Sequence, residues 1–338
     1  SMKGDFVLNK AHLSYWLRQL RKESDLIAPL RSVDGDIILS SVTGIHEIEL
    51  DCPANIPSPK EFIFPQKEEM FKFSGKGVDV LNNSSKRVIF GVRSCDMSAV
   101  ALLDKFYGGL FEDSFYVKRR RNTFFISIVC NNPDPTCFCA GLGTGPYLKA
   151  GFDIQLTDLG DRYLAQVGSK EGQSLIKNFR HLFQMPQKLD YDDQYEANLS
   201  SQSKFEKRIT LENVRQKILA GKVDDSFWES VALRCFECGG CVYECPLCTC
   251  FNVIDWKETP DKGVRMRLWD TCMFKGFTKM AGNILPAEKK IMRTKRWYFH
   301  KLLYYPEQFG KFGCVGCGRC TITCPGGIDM AAITNKLD

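Results

Sequence analysis

Cysteine is the residue type with unusual chemical reach in this 338-residue chain: sixteen are present, against four histidines, His12, His46, His181 and His300. Cys235, Cys238, Cys241 and Cys245, followed by Pro246, spell C-x2-C-x2-C-x3-C-P, and Cys314, Cys317, Cys320 and Cys324, followed by Pro325, spell it again. Three cysteines spaced two residues apart let a short loop wrap three corners of an iron-sulfur cube, while the fourth lies too far along to close the same one. In two-cluster ferredoxins that fourth cysteine ligates the other cluster. The spacing therefore assigns Cys235, Cys238, Cys241 and Cys324 to one 4Fe-4S cluster, and Cys314, Cys317, Cys320 and Cys245 to a second. Glycines 239, 240, 316 and 318 let the backbone turn tightly beside the sulfurs. Structural zinc, the competing use of grouped thiolates, typically takes two separated C-x2-C knuckles. With all eight positions filled, no iron is left open to a substrate, and electron relay is the expected role.

Four further cysteines fall in the first half of the chain: Cys95, then Cys130, Cys137 and Cys139. Cys95 and Cys130 each follow a predicted strand, and the proline-rich turn between Cys130 and Cys137 would fold the later pair back toward the earlier residues. A third 4Fe-4S cluster is the reading for these four, with Arg93 donating toward it and the stretch Gly141 to Gly145 covering it. Buried free cysteines and a four-thiolate zinc site are the alternatives. Cys248, Cys250 and Cys272 are read as packing around the clusters, with a further metal site or reactive thiol as the alternative. Cys52 has no partner in the sequence and is read as inert.

No G-x-x-x-x-G-K sequence occurs, and Gly141 to Pro146 only half resembles a dinucleotide loop, lacking its third glycine and following helix. A chain without a flavin, nicotinamide or haem site of its own must take electrons from one partner and give them to another. It should not turn over alone. A second reading is that the N-terminal metal site itself reduces a small substrate.

The elements that must position these thiolates read as α+β. Residues 1–185 are expected to form a mixed α/β domain. Leu13, Trp16, Leu17 and Leu20 repeat at helical spacing after a capping Asn9. Strands are expected at residues 36–41, 86–92, 123–130 and 162–167, and Asp96 is placed as the cap of a helix carrying Val100, Leu102, Leu103 and Phe106. Residues 186–230 read as linker and helices: 187–204 is polar and suits a linker, while 211–220 and 226–233 look helical. Residues 231–338 are the two-cluster, ferredoxin-like and largely helical domain, with a long insertion at 251–310.

The longest apolar runs fall far short of the roughly 18 residues of a membrane span. Ser1 before Met2 reads as a cloning remnant, and no charged segment leading into an apolar one opens the sequence, so a cytoplasmic protein with reduced thiols is expected. The net charge of +6 is modest, and the one compact basic run, Lys118 to Arg121, reads as a solvated strand edge. Nucleic-acid binding is not indicated.

Several quoted stretches together resemble a known family: Gly91-Val92-Arg93-Ser94-Cys95-Asp96, the array from Cys130 to Cys139, Cys245-Pro246-Leu247-Cys248-Thr249-Cys250, Arg267 to Cys272, and Cys314 to Cys320. The chain is identified as a member of the family that joins the A-type subunits of anaerobic sulfite reductases with the beta subunits of sulfhydrogenases (nickel-iron hydrogenases), over roughly residue 10 to the end. The resemblance implies an iron-sulfur subunit of a hetero-oligomer. It would relay electrons between a flavin-containing, NAD(P)H-binding partner and a catalytic subunit, either a sirohaem sulfite reductase or a nickel-iron hydrogenase. It also supports a cluster at Cys95, Cys130, Cys137 and Cys139. Because solvent-accessible thiolate clusters oxidise and lose iron, oxygen sensitivity and an anaerobic host are expected.

Overall fold

The computed structural model describes residues 4–52, 56–82, 84–207 and 209–337. Two compact units emerge, residues 1–59 with 84–208, and residues 60–83 with 209–338.

The first unit is built on an eight-stranded sheet. Its strands are β1 (Phe6–Asn9), β2 (Asp25–Arg31), β3 (Ile37–Ser41), β6 (Arg87–Val92), β7 (Thr123–Ile128), β8 (Ile154–Asp158), β9 (Arg162–Val167) and β10 (Phe183–Gln184), in the order β10-β1-β9-β8-β7-β6-β2-β3. Strands β2, β6, β7 and β8 run parallel, and the flanking strands pair antiparallel. A parallel run is covered on both faces, so its strands are continuously apolar rather than alternating. Val88, Ile89, Phe90 and Val92 of β6 are all buried. The helix Lys10–Glu23 starts where Asn9 Oδ1 accepts from the Ala11 amide at 2.8 Å. It buries Leu13, Trp16, Leu17 and Leu20, with Trp16 Nε1 donating to the Leu175 carbonyl at 3.2 Å.

Three sequence-based expectations change here. Residues 187–204 hold the helix Lys188–Ser203 rather than a linker, fixed to β9 by Arg162, which bonds Asp190 at 2.7 Å and Asp193 at 2.6 Å. Lys118 to Arg121 form the last turn of the helix Ser114–Arg121, capped by Asp113, rather than a strand edge. Four cations at a helix C-terminus complement the partial negative charge of its free carbonyls. Asp96 does cap the helix Ser94–Tyr107, but from its first turn, accepting from the Arg93 amide at 3.4 Å.

The second unit takes residues 60–83 away from the expected N-terminal domain. Strands β4 (Lys67–Ser74) and β5 (Gly77–Val80) join β11 (Phe251–Thr259) and β12 (Lys262–Trp269) in a four-stranded antiparallel sheet ordered β11-β12-β4-β5. The insertion at 251–310 is therefore first a β-hairpin. Glu68 and Arg267 face each other across β4 and β12, both nearly inaccessible, and Arg267 donates from Nε at 2.9 Å. The insertion ends in the helix Lys290–Phe299, which runs on into a π-helical turn at His300–Tyr304. Trp228, from the helix Asp225–Arg234, packs on Tyr298 and Phe299 of that rod at ring separations of 5.5 and 5.6 Å.

Candidate metal centres

The two C-x2-C-x2-C-x3-C-P loops have closely similar backbones. In the first, Glu237 (φ 56°) and Gly239 (φ 77°) take left-handed conformations before the short helix Gly240–Tyr243; in the second, Gly316 (φ 65°) and Gly318 (φ 74°) do so before the helix Arg319–Thr323. These turns aim backbone amides at sulfur: Glu237 N donates to Cys235 Sγ and Gly316 N to Cys314 Sγ, each at 3.4 Å. A glutamate stands where the second loop has glycine, which costs about 1 kcal/mol in backbone strain. Arg293 holds it there, pairing with the Glu237 carboxylate and donating to the carbonyls of Met273 at 3.0 Å and Ala287 at 2.8 Å.

Cys235, Cys238, Cys241 and Cys324 line one pocket, walled by Met273, Trp297, Tyr298 and Ile328. Burial pushes the thiols of Cys235 and Cys241 up, Cys241 to about 12, with Cys324 adding repulsion to both. Around the second loop, Cys314 feels Cys317 and Cys245, and Cys320 feels Cys314 and Cys317; burial leads both shifts, taking Cys314 to about 12. The last cysteine of each motif thus stands with the first three of the other, the juxtaposition that crossed ligation requires. Thiols so hard to ionise would give up their protons only to a metal.

Two buried lysines lie beside Cys245. Lys301 Nζ, from the π-helical turn, donates to Cys245 Sγ at 3.2 Å and to the Gly313 carbonyl at 2.9 Å. Lys60 Nζ donates to the carbonyls of Cys245 at 2.8 Å, Tyr243 at 3.2 Å and Cys248 at 3.3 Å, and sits 3.9 Å from the centre of the Trp269 ring. Burial lowers the Lys60 pKa; for Lys301 burial also works downward, but the thiolates around it, Cys245 first, outweigh it and raise the value. Neither lysine carries any sequence signal. Of the cysteines read as packing, Cys248 donates to Cys245, and Cys272 donates to Cys250, holding the Cys250 thiol down at about 7.

In the first unit, Cys95, Cys130, Cys137 and Cys139 are all buried. The turn at Gly145 and Pro146 gathers their segments. The Pro146 carbonyl accepts from Ser94 Oγ at 2.6 Å and from the Cys130 amide at 3.2 Å. A Cβ on Gly145 would stand 2.7 Å from Cys139 Sγ, so only glycine fits that approach. Cys130 and Cys137 pack together against Phe205. Arg93 donates from Nη2 to Cys52, to its carbonyl at 2.9 Å and its sulfur at 3.3 Å, and its charge also acts on Cys130. Cys52, read as inert, is thus a fifth thiol beside this group. Among the described residues, no group of three or more His, Cys, Asp or Glu side chains is gathered to hold a single metal ion. A cube is met differently, since each thiolate takes a different iron.

Residues 234–328 match the model of a 4Fe-4S dicluster domain. The whole chain is similar to the sulfhydrogenase 2 subunit beta of Pyrococcus furiosus, at 31% identity over 97% of both chains. It belongs to the sulfhydrogenase beta-subunit family. The dicluster match covers both cysteine loops, and with this relationship it supports an iron-sulfur, hydrogenase-related electron-transfer protein. Among the described residues no helix is long and apolar enough to cross a membrane.

Proposed function

We propose that the chain is the relay subunit of a hetero-oligomeric oxidoreductase. It would pass electrons between a flavin-containing, NAD(P)H-binding partner and a catalytic subunit, of sirohaem sulfite reductase or nickel-iron hydrogenase type. Cys235, Cys238, Cys241 and Cys324 hold one cluster; Cys314, Cys317, Cys320 and Cys245 hold the second; Cys95, Cys130, Cys137 and Cys139 hold a third. The observation that carries the reading is the crossed grouping of the eight C-terminal thiols. A 4Fe-4S cluster, when bound, accepts and releases one electron at a time. The chain's own residues do the rest. The cysteines fix the centres, the amides of Glu237 and Gly316 and the ammonium of Lys301 offset negative charge at sulfur, and Trp297 and Tyr298 wall the first pocket. Thiols maintained in this state suit a reducing, cytoplasmic and anaerobic setting.

The test is iron and acid-labile sulfide per chain after anaerobic purification, for the wild type and for a variant with Cys137→Ser and Cys139→Ser. About 12 irons falling to about 8, at four irons per cube, is expected. About 8 in both would leave a two-cluster chain and return the N-terminal cysteines to packing or zinc.

One observation favours a second reading, in which the N-terminal centre reduces a small substrate directly. A cavity of about 350 Å³ opens beside it, lined by Cys52, Arg93, Cys130 and Asn131. Under this reading a small sulfur oxyanion added to the isolated chain would perturb the signal of the N-terminal centre. Under the relay reading it would not.

A further inference from the structure

Relay through a chain needs a port, because electron tunnelling falls steeply with distance and a partner must seat where a cluster comes nearest the surface. Of the sixteen cysteines, Cys238 alone is exposed, and it belongs to the pocket of Cys235, Cys241 and Cys324. Phe236, one residue from Cys235 and two from Cys238, lines that pocket on one side and a shallow surface depression on the other. Phe236 is 71% exposed, and Leu233, which lines the same depression, is 83% exposed. Single exposed apolar side chains are ordinary, but two that share one depression at the mouth of a thiol pocket form a contiguous apolar patch of the kind that marks a contact face.

The rim of the depression is basic. Arg234 and Lys290 line it, and each gives one donor to a backbone carbonyl: Arg234 to Gly327 at 3.2 Å, Lys290 to Cys235 at 3.1 Å. Among the described residues neither is paired with a carboxylate. The nearby acid, Glu237, is already answered by Arg293. The charge around the apolar centre is therefore unmatched and positive, and complementary to carboxylates.

We propose that Leu233, Phe236, Arg234 and Lys290 form the docking face through which the cluster of Cys235, Cys238, Cys241 and Cys324 exchanges electrons with a partner. That partner is a redox protein whose own centre opens on an apolar patch rimmed by Asp and Glu. This rests on the relay reading above. An aromatic anchor with an apolar neighbour and a charged rim is the usual anatomy of such an interface.

The experiment compares two acceptors of electrons from the reduced, iron-loaded chain in stopped flow: an acidic two-cluster ferredoxin, which must dock, and methyl viologen, which need not. Leu233→Asp and Phe236→Asp are expected to slow transfer to the ferredoxin tenfold or more, with transfer to viologen and iron content unchanged. Arg234→Glu is expected to slow the ferredoxin reaction and flatten its dependence on salt. Because Phe236 lies inside a cluster loop, Leu233→Asp decides the matter if the Phe236 variant loses iron. Unchanged ferredoxin rates in Leu233→Asp would overturn the proposal. So would equal falls for both acceptors with iron retained, which would put the effect in the cluster, or a dimer of the chain dispersed by the same change, which would make a second copy the occupant. A wild type holding no iron would instead overturn the relay reading itself.

Discussion

Replacing Lys301 by methionine should lower the reduction potential of the cluster proposed for Cys245, Cys314, Cys317 and Cys320. The ammonium-bearing side chain is 4% exposed and stands 3.2 Å from Cys245 Sγ, and it keeps its proton because the surrounding thiolates outweigh the cost of burial. A reduced cube carries one more negative charge than an oxidised one. With that charge roughly 6 Å from Nζ and an effective dielectric of about 20, the attraction lost is about 3 kcal/mol, on the order of 100 mV for one electron. Removing the cation disfavours the reduced form, so the shift is downward. Redox titration followed by electron paramagnetic resonance should show one of the two ferredoxin-type signals moving down by that order. A half-buried control, Lys295→Met, which removes the pair with Asp225 and a cation–π contact with Phe299 but no contact with sulfur, should move neither. If both signals stay within about 20 mV of the wild type, or the affected one rises, Lys301 is not an electrostatic partner of the cluster and the placement of Cys245 in that set is wrong.

Gly239→Ala should cost the cluster proposed for Cys235, Cys238, Cys241 and Cys324, because the new Cβ would meet Thr271 Cγ2 at 2.7 Å at a φ of 77°; iron should fall by about four per chain, with the second loop still loaded. Glu68→Gln leaves the guanidinium of Arg267 buried with a neutral partner, and the second unit should lose about 3 kcal/mol, read as a lower midpoint in denaturant, while Arg267→Met with Glu68→Leu recovers most of it. His300 is held neutral by burial, with its pKa taken from 6.5 down to about 4 and Lys301 adding to the effect. The folded chain therefore resists protonation of this ring: stability present above pH 6.5 drains away as the pH falls toward 4, by about 2 kcal/mol after allowing for the ring's partial exposure. A His300→Gln variant should show a flatter acid limb in the same unfolding measurement.

What the sequence discloses and what it conceals follow from the range of the interactions involved. The paired cysteine loops are legible because a cube constrains cysteines a few residues apart, and the dicluster domain they announce spans residues 234–328. The parallel strands around residues 86–92 and 123–130 are legible because burial on both faces writes a continuous apolar run. By contrast, β4 and β5 belong to the second unit only through the pairing of β4 with β12, whose partners, such as Glu68 and Arg267, are some two hundred residues apart. No local pattern encodes that. The helix Lys188–Ser203 is concealed for a related reason: its faces are hardly segregated, and ion pairs from Arg162 on β9 tie it down. Lys60, Lys301 and Cys52 escape a sequence reading because a lysine or a lone cysteine has no spacing to betray it. Their contribution exists only once the fold has brought a charge into a place without water. That is also where a single charge acts most strongly on an electron, so the residues expected to set the potentials of this relay are the ones its sequence is least able to announce.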